Sequence, residues 1–361
     1  MKMKNGMIGC LCIIFSIGLL SGCSNPSLQI LPKYGGKIQG VVWCDQRYLD
    51  MVDAYQTIDK DTKKLLALSK EGYVYALTAT LTLQKNNADE QFNFKTPNYL
   101  KKINELSKEE FNGFAAESFA YSNSITGENE FIISFRGSDQ FIMDYLFQNL
   151  GVYQVQNKSA REYIKYAMKY RDEHRSNFGP KVVVVGNSLG GALAAHVTNH
   201  KDTAAYVTDA WAFNPSPRTG VLPPLAGNPK IRLLSTKSEV LNFFERKRIG
   251  AQEQNEYTGY DLIKSSSFYN HYRWVLAREI LWYADFSFYL QSDKRVITTP
   301  PLEIIKSQQI TLAKCEKTNR ITENRRKVYE INHQKNEKTG SIKLNEVNEV
   351  DEILDKGDIS K

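Results

Sequence analysis

Lys181-Val182-Val183-Val184-Val185-Gly186-Asn187-Ser188-Leu189-Gly190-Gly191-Ala192-Leu193-Ala194 is the most informative stretch of this chain. Four consecutive valines suit a strand covered on both faces, as in a parallel sheet. Gly186 to Gly190 then turns the chain, and Gly191-Ala192-Leu193-Ala194-Ala195-His196 opens a helix of small residues. A strand, a tight turn with a central serine and a helix form the context in which G-x-S-x-G carries meaning. The turn is too sharp for β-carbons beside the serine. It leaves Ser188 exposed at the carboxyl end of the strand, against a helix N-terminus. Without those flanks the pentapeptide reads as a Gly-rich helix start.

Working outward, residues 159–177 carry a helical pattern, with Tyr163, Ala167, Met168 and Tyr170 on one side and Arg161, Lys165, Lys169 and Arg171 on the other. Residues 131–135 are an apolar strand cut off by Arg136-Gly137-Ser138-Asp139, and residues 111–122 suggest a strand hairpinned to it. Residues 141–150 mix Asp144 with aromatics in a loop or short helix. Beyond the elbow, residues 204–213 and 230–236 read as strands, the first running into Asn214-Pro215-Ser216-Pro217 and the second ending just before Glu239. Residues 245–267 are polar and irregular, and Glu245-Arg246-Lys247-Arg248 is most simply a solvated face. Helical patterns are expected over 61–84 and from His271 to about 290; Arg273, Arg278, Glu279 and Asp285 exclude the second as a membrane span. Strands alternating with crossover-length helices predict an α/β fold with a mostly parallel central sheet flanked by helices. Sites in such sheets lie outside the carboxyl ends of the strands, where Ser138, Ser188 and Glu239 fall.

The chain has 361 residues, a net charge of +7 and no dense basic block interleaved with aromatics, so nucleic-acid binding is not expected. Lys2 and Lys4 precede an apolar run, residues 8–20, too short for a comfortable membrane span, which ends Leu20-Ser21-Gly22-Cys23. That segment resembles the bacterial lipobox, with cleavage before Cys23 and a lipid on its thiol. Ser24, in place of Asp, resembles the outer-membrane sorting pattern where the source has two membranes. Of five cysteines, Cys10 and Cys12 leave with the signal, Cys23 carries the lipid, and Cys44 and Cys315 remain. A disulfide between those two, or two buried thiols, are the alternatives. The expected organisation is a signal peptide (1–22), a tether and N-terminal segment (23–60), an α/β domain that holds the valine strand and its elbow (61–300) and a charged C-terminal extension (301–361).

A serine hydroxyl needs a base, and the base needs an orienting carboxylate. In hydrolases built on a G-x-S-x-G elbow the chain order is Ser, then Asp or Glu, then His. His196 and His200 lie on the helix that leads away from Ser188, His333 lies in the polar tail, and His271 follows the last candidate strand. Glu239 stands directly past a strand; Asp209 lies inside one, and Glu256 and Asp261 lie in the polar loop, as weaker candidates for the acid. The oxyanion hole needs converging N–H groups. Leu189, after the nucleophile, supplies one, and the Gly137-Ser138 turn fits the other.

Phe135-Arg136-Gly137-Ser138, Asp144, Gly186 to Ala194, Phe213-Asn214-Pro215-Ser216-Pro217-Arg218, Glu239 and His271-Tyr272 together resemble the fungal-type class 3 lipases over roughly residues 90–290. The resemblance implies an α/β-hydrolase fold, Ser188 as nucleophile, Ser138 and Leu189 at the oxyanion hole, and hydrolysis of lipid-like esters without metal or diffusible cofactor. Asn187 stands where that family usually has histidine, and Glu239 where it usually has aspartate. The expectation is a lipid-anchored serine esterase of the cell envelope, of lipase or phospholipase type, whose partners are a lipid or ester substrate and the membrane. A non-catalytic binding module on the same scaffold, and an acyltransferase, thioesterase or amidase with the same triad, are the alternatives.

Overall fold

The valine run forms the centre of a sheet of seven strands in the computed structural model, which describes residues 60–82, 93–123, 126–127, 129–137, 152–237, 239–243, 246–261, 267–290 and 299–307. The strands are β1 (Leu100–Glu109), β2 (Ala115–Ser122), β3 (Asn129–Phe135), β4 (Val182–Asn187), β5 (Asp209–Phe213), β6 (Ile231–Thr236) and β7 (Glu256–Tyr260), and they lie side by side in chain order. β1 to β3 pair antiparallel; β3 to β7 pair parallel. The described helices are α1 (Lys60–Leu81), α2 (Val152–Glu173), α3 (Leu189–Asn199), α4 (Ser267–Asn270), α5 (Arg273–Leu290) and α6 (Pro300–Lys306).

Alternation along β4 divides the core into two layers. Val183 and Val185 join Ile132, Trp211, Phe213 and Leu234 beneath α1, α5 and α6. Val182 and Val184 join Ile133, Ala210, Ala212 and Leu233 beneath α2 and α3. All four valines are buried, each worth on the order of 2 kcal/mol relative to exposure. This is the mostly parallel, helix-flanked sheet expected of an α/β-hydrolase fold.

Several elements differ from the sequence expectation. β1 was not anticipated: its buried residues Leu100, Ile103 and Leu106 recur every third position, because the register with β2 shifts between Ile103 and Lys108, and a strand period of two is masked. β7 emerges from the region read as irregular; it is a short edge strand with a single buried position, Tyr260. α2 starts at Val152, and β5 begins only at Asp209. Asp209 therefore opens its strand, at the end of the sheet away from Ser188, and pairs with Arg232 at 2.7 Å and Lys181 at 3.8 Å. The expected domain limit at 300 cuts through a core element: α6 buries Leu302, Ile304 and Ile305 beside α5. Its cap is Thr299, whose Oγ1 accepts from Leu302 N–H at 3.3 Å and donates to Asp285. Apolar pattern, rather than the charge of the tail that follows, sets that boundary.

Candidate active site

Ser188 sits between the end of β4 and the start of α3 with φ 56° and ψ −121°. A positive φ on serine is strained by roughly 1–3 kcal/mol and persists only where neighbours hold it. Here its N–H donates to Phe213 O at 2.9 Å, and its carbonyl accepts from Ser216 N–H at 3.0 Å and Ala192 N–H at 3.2 Å. The elbow is also wedged against β3: a β-carbon on Gly190 would lie 2.1 Å from Phe135 O, and one on Gly137 would lie 2.7 Å from Asn187 O. The side chain of Ser188 is half-buried and emerges at the carboxyl end of the sheet.

His271 occupies the turn between α4 and α5 and is buried. Asn214, which also takes a positive φ (40°), fixes that turn relative to the sheet. Its Oδ1 accepts from Thr236 N–H at 2.9 Å and its Nδ2 donates to Asn270 O at 3.3 Å, so one side chain joins the ends of β5 and β6 to the histidine turn. Glu239, fully buried, lies just past β6.

These three side chains form a continuous line. His271 Nε2 is 2.9 Å from Ser188 Oγ, and His271 Nδ1 is 2.5 Å from Glu239 Oε2. An ionised carboxylate only accepts, so Nδ1 carries the proton given to Glu239 and Nε2 is free to accept from the serine hydroxyl. Glu239 Oε2 also accepts from Leu241 N–H at 2.8 Å, and its Oε1 is paired with Arg246. Burial pushes the Glu239 carboxyl upward, but the His271 hydrogen bond, the charges of His271 and Arg246 and the Leu241 N–H outweigh it, and the group ends below the usual carboxylate range. The acid is thus held ionised.

Leu189 is the first residue of α3, so its N–H has no intrahelical acceptor. Ser138, the other expected oxyanion donor, lies outside the described residues, as do Asp144, His333, Cys23, Cys44 and Cys315. Its neighbour Gly137 is described and packs on the elbow. His196 points away from the line: its Nδ1 bonds Thr219 O and its Nε2 meets Arg161, each at 2.8 Å. Glu256 opens β7 and Asp261 follows it, and the position facing His271 Nδ1 is taken by Glu239. The reading of residues 245–248 as a solvated face is corrected at one position: Lys247 and Arg248 are exposed, but Arg246 is buried against Glu239. Nothing in the local sequence separates the three. Among the described residues no group of three or more His, Cys, Asp or Glu is placed to hold a metal ion, and no helix is long and apolar enough to cross a membrane.

A mostly parallel sheet with a strained serine at the end of one strand, and a histidine and a carboxylate brought to it by later loops, defines the α/β-hydrolase class. Residues 88–217 match the Mbeg1-like family model, a span that includes the elbow. The fold is similar to that of lipase II from Rhizopus niveus (12% identity, 51% of this chain, 77% of that chain, TM-score 0.34). It is also similar to the extracellular lipase LipA from Serratia marcescens (14% identity, 65% of this chain, TM-score 0.34), of which it spans 52%. A search of curated proteins finds no match.

Proposed function

We propose that this chain is a serine-dependent carboxylic ester hydrolase. The observation that carries the reading is the unbroken line from Ser188 Oγ through His271 to Glu239 at the carboxyl end of the sheet. Ser188 Oγ attacks the ester carbonyl while His271 Nε2 takes its proton; Glu239 keeps the ring in the tautomer that can do so and stabilises the imidazolium that results. The N–H of Leu189, together with Ser138, meets the developing oxyanion; loss of one such donor costs about 3 kcal/mol of transition-state stabilisation. His271 then returns the proton to the leaving alkoxide. A water, deprotonated by the same nitrogen, cleaves the acyl-serine and regenerates Ser188. None of these steps calls for a metal or a diffusible cofactor.

The resemblance to class 3 lipases supports lipid-like esters, of triacylglycerol or phospholipid type, as substrates. The lipobox-like segment ending at Cys23 supports a protein held at the envelope membrane by an N-terminal lipid. Labelling with a fluorescent serine-reactive phosphonate tests the reading. Wild-type protein labels and hydrolyses short-chain and long-chain esters, and Ser188→Ala does neither. The labelled band sediments with membranes and shifts to the soluble fraction in Cys23→Ser. A folded wild-type protein that neither labels nor hydrolyses any ester overturns the hydrolase reading in favour of a binding module; labelling with acyl transfer to an acceptor other than water makes it a transferase.

A further inference from the structure

Arg246 opens a short 3-10 turn, Arg246–Ile249, seven residues beyond Glu239, and its side chain is 5% exposed. A guanidinium is rarely buried unless every donor direction is used. Here Nη2 pairs with Glu239 Oε1, Nη1 donates to Asn242 Oδ1 at 2.8 Å and Nε donates to Pro215 O at 3.1 Å. Asn242 is itself tied back to the end of β6, its Nδ2 donating to Thr236 O at 2.9 Å. Pro215 belongs to the segment after β5 whose next residue, Ser216, bonds Ser188 O. One side chain therefore ties the acid to the backbone behind the nucleophile.

We propose that Arg246 is a positioning residue of this site, clamping one oxygen of Glu239 so that the other stays aimed at His271, and offsetting the carboxylate's charge so that the imidazole is free to act as a base. The proposal rests on the reading of Ser188, His271 and Glu239 as a catalytic line. Glutamate has one more rotatable bond than aspartate, so a carboxylate held only at Oε2 would sample several orientations; the second grip removes that freedom. The electrostatic part follows from sign. A buried carboxylate with no cation beside it favours the imidazolium so strongly that less of the ring is left unprotonated to take the serine proton, and a cation on the far side of the carboxylate weakens that pull. Among the described residues, the charged groups facing Arg246 are Glu239 and, from β7, Glu256; His271 faces it through Glu239. With Arg246 neutralised, both carboxylates remain and the local field becomes more negative.

The test uses the full chain and three variants, Arg246→Gln, Arg246→Lys and Glu239→Gln/Arg246→Gln, beside Glu239→Gln alone. In Arg246→Gln, kcat on a soluble p-nitrophenyl ester falls about tenfold to a hundredfold with KM nearly unchanged, and the acid limb of the pH profile moves up by about one unit. Arg246→Lys keeps the acid limb near that of the wild type, because it keeps the charge, and loses part of kcat, because it lacks the fork. NMR titration of the His271 ring, identified by its absence in His271→Gln, reads the same coupling without any turnover, and its midpoint also rises in Arg246→Gln. The double variant leaves no lone buried charge; it folds and loses no more kcat than Glu239→Gln alone. If Arg246→Gln does not fold, the lysine and double variants decide. An acid limb that moves in Arg246→Lys, or losses that add in the double variant, overturn the proposal, as does an unchanged limb and ring titration in a folded Arg246→Gln. A wild-type protein without hydrolysis or labelling would remove the hydrolase reading alone, since the ring titration would still report whether Arg246 acts on His271.

Discussion

Gly190 has no room for a side chain, and the atom in the way is the carbonyl oxygen of Phe135 at 2.1 Å, which cannot rotate aside. Gly190→Ala therefore pushes the elbow off β3 and is expected to destabilise the protein by about 2–4 kcal/mol, read as a lower urea midpoint. Phosphonate labelling of Ser188 should fall as well, because the displaced turn is the one that presents the hydroxyl. Ser188 was legible in the sequence since its signal is local, a strand, a turn and a helix within fourteen residues. Glu239 and His271 were named from chain order, their places past candidate strands and the resemblance to class 3 lipases, and the structure sets them at hydrogen-bonding distance in that order. Arg246 was not legible. Lys247 and Arg248 beside it have the same chemistry and face solvent, and only burial separates them.

Helix α3 does more than carry Ser188 at its start. Two turns on, His196 lies between Arg161 of α2 and the carbonyl of Thr219, donating from Nδ1 and accepting at Nε2. That arrangement needs a neutral ring. Burial first, then the charges of Arg161 and His200, pull its pKa down from 6.5 to about 4 against the opposing Thr219 hydrogen bond. The unfolded chain binds this proton near 6.5 and the folded chain only near about 4, so stability is complete above that window and declines as pH falls through it. The loss by the lower end is up to roughly 3 kcal/mol. Urea unfolding at pH 7 and pH 4.5 should show a drop for the wild type that is much smaller for His196→Gln; equal drops would place the acid sensitivity elsewhere. The same helix was readable from its small residues, whereas β1 and β7 were not. β1 hides its period behind a shifted register, and β7 shows a single buried position.

The span that matches the Mbeg1-like model, residues 88–217, contains β1 to β5, α2 and α3. It lacks α1, α5 and α6, which cover one whole face of the sheet, and it lacks Glu239 and His271. A polypeptide of residues 88–217 alone would leave Ile132, Val183, Val185, Trp211 and Phe213 open to water. Such a contiguous apolar face is not tolerated in a soluble monomer. The fragment is expected to show no cooperative unfolding transition by circular dichroism and to bind a hydrophobic dye, where the full chain gives a cooperative transition. A folded, monomeric fragment would mean that α1 and α5 are dispensable for the sheet. The tail following α6 is separate from this argument, but α6 is not, because its three apolar side chains close the α5 layer.

The valine run, the glycine-flanked serine and the alternation of strands with helices were enough to specify a mostly parallel, helix-flanked sheet with a serine at the carboxyl end of its central strand. Those signals are local, arising from side-chain periodicity and from the backbone freedom of glycine, and they are written within a few residues of where they act. The line of hydrogen bonds was not written that way. His271 is 83 residues from Ser188 and 32 from Glu239, and Arg246 is 31 from Pro215. Which charged side chain is buried, which carboxylate meets the imidazole and which arginine holds that carboxylate depend on how loops from different strand ends pack together. That packing exists only once the sheet has formed, and the removal of water from it is what gives those few charges their strength.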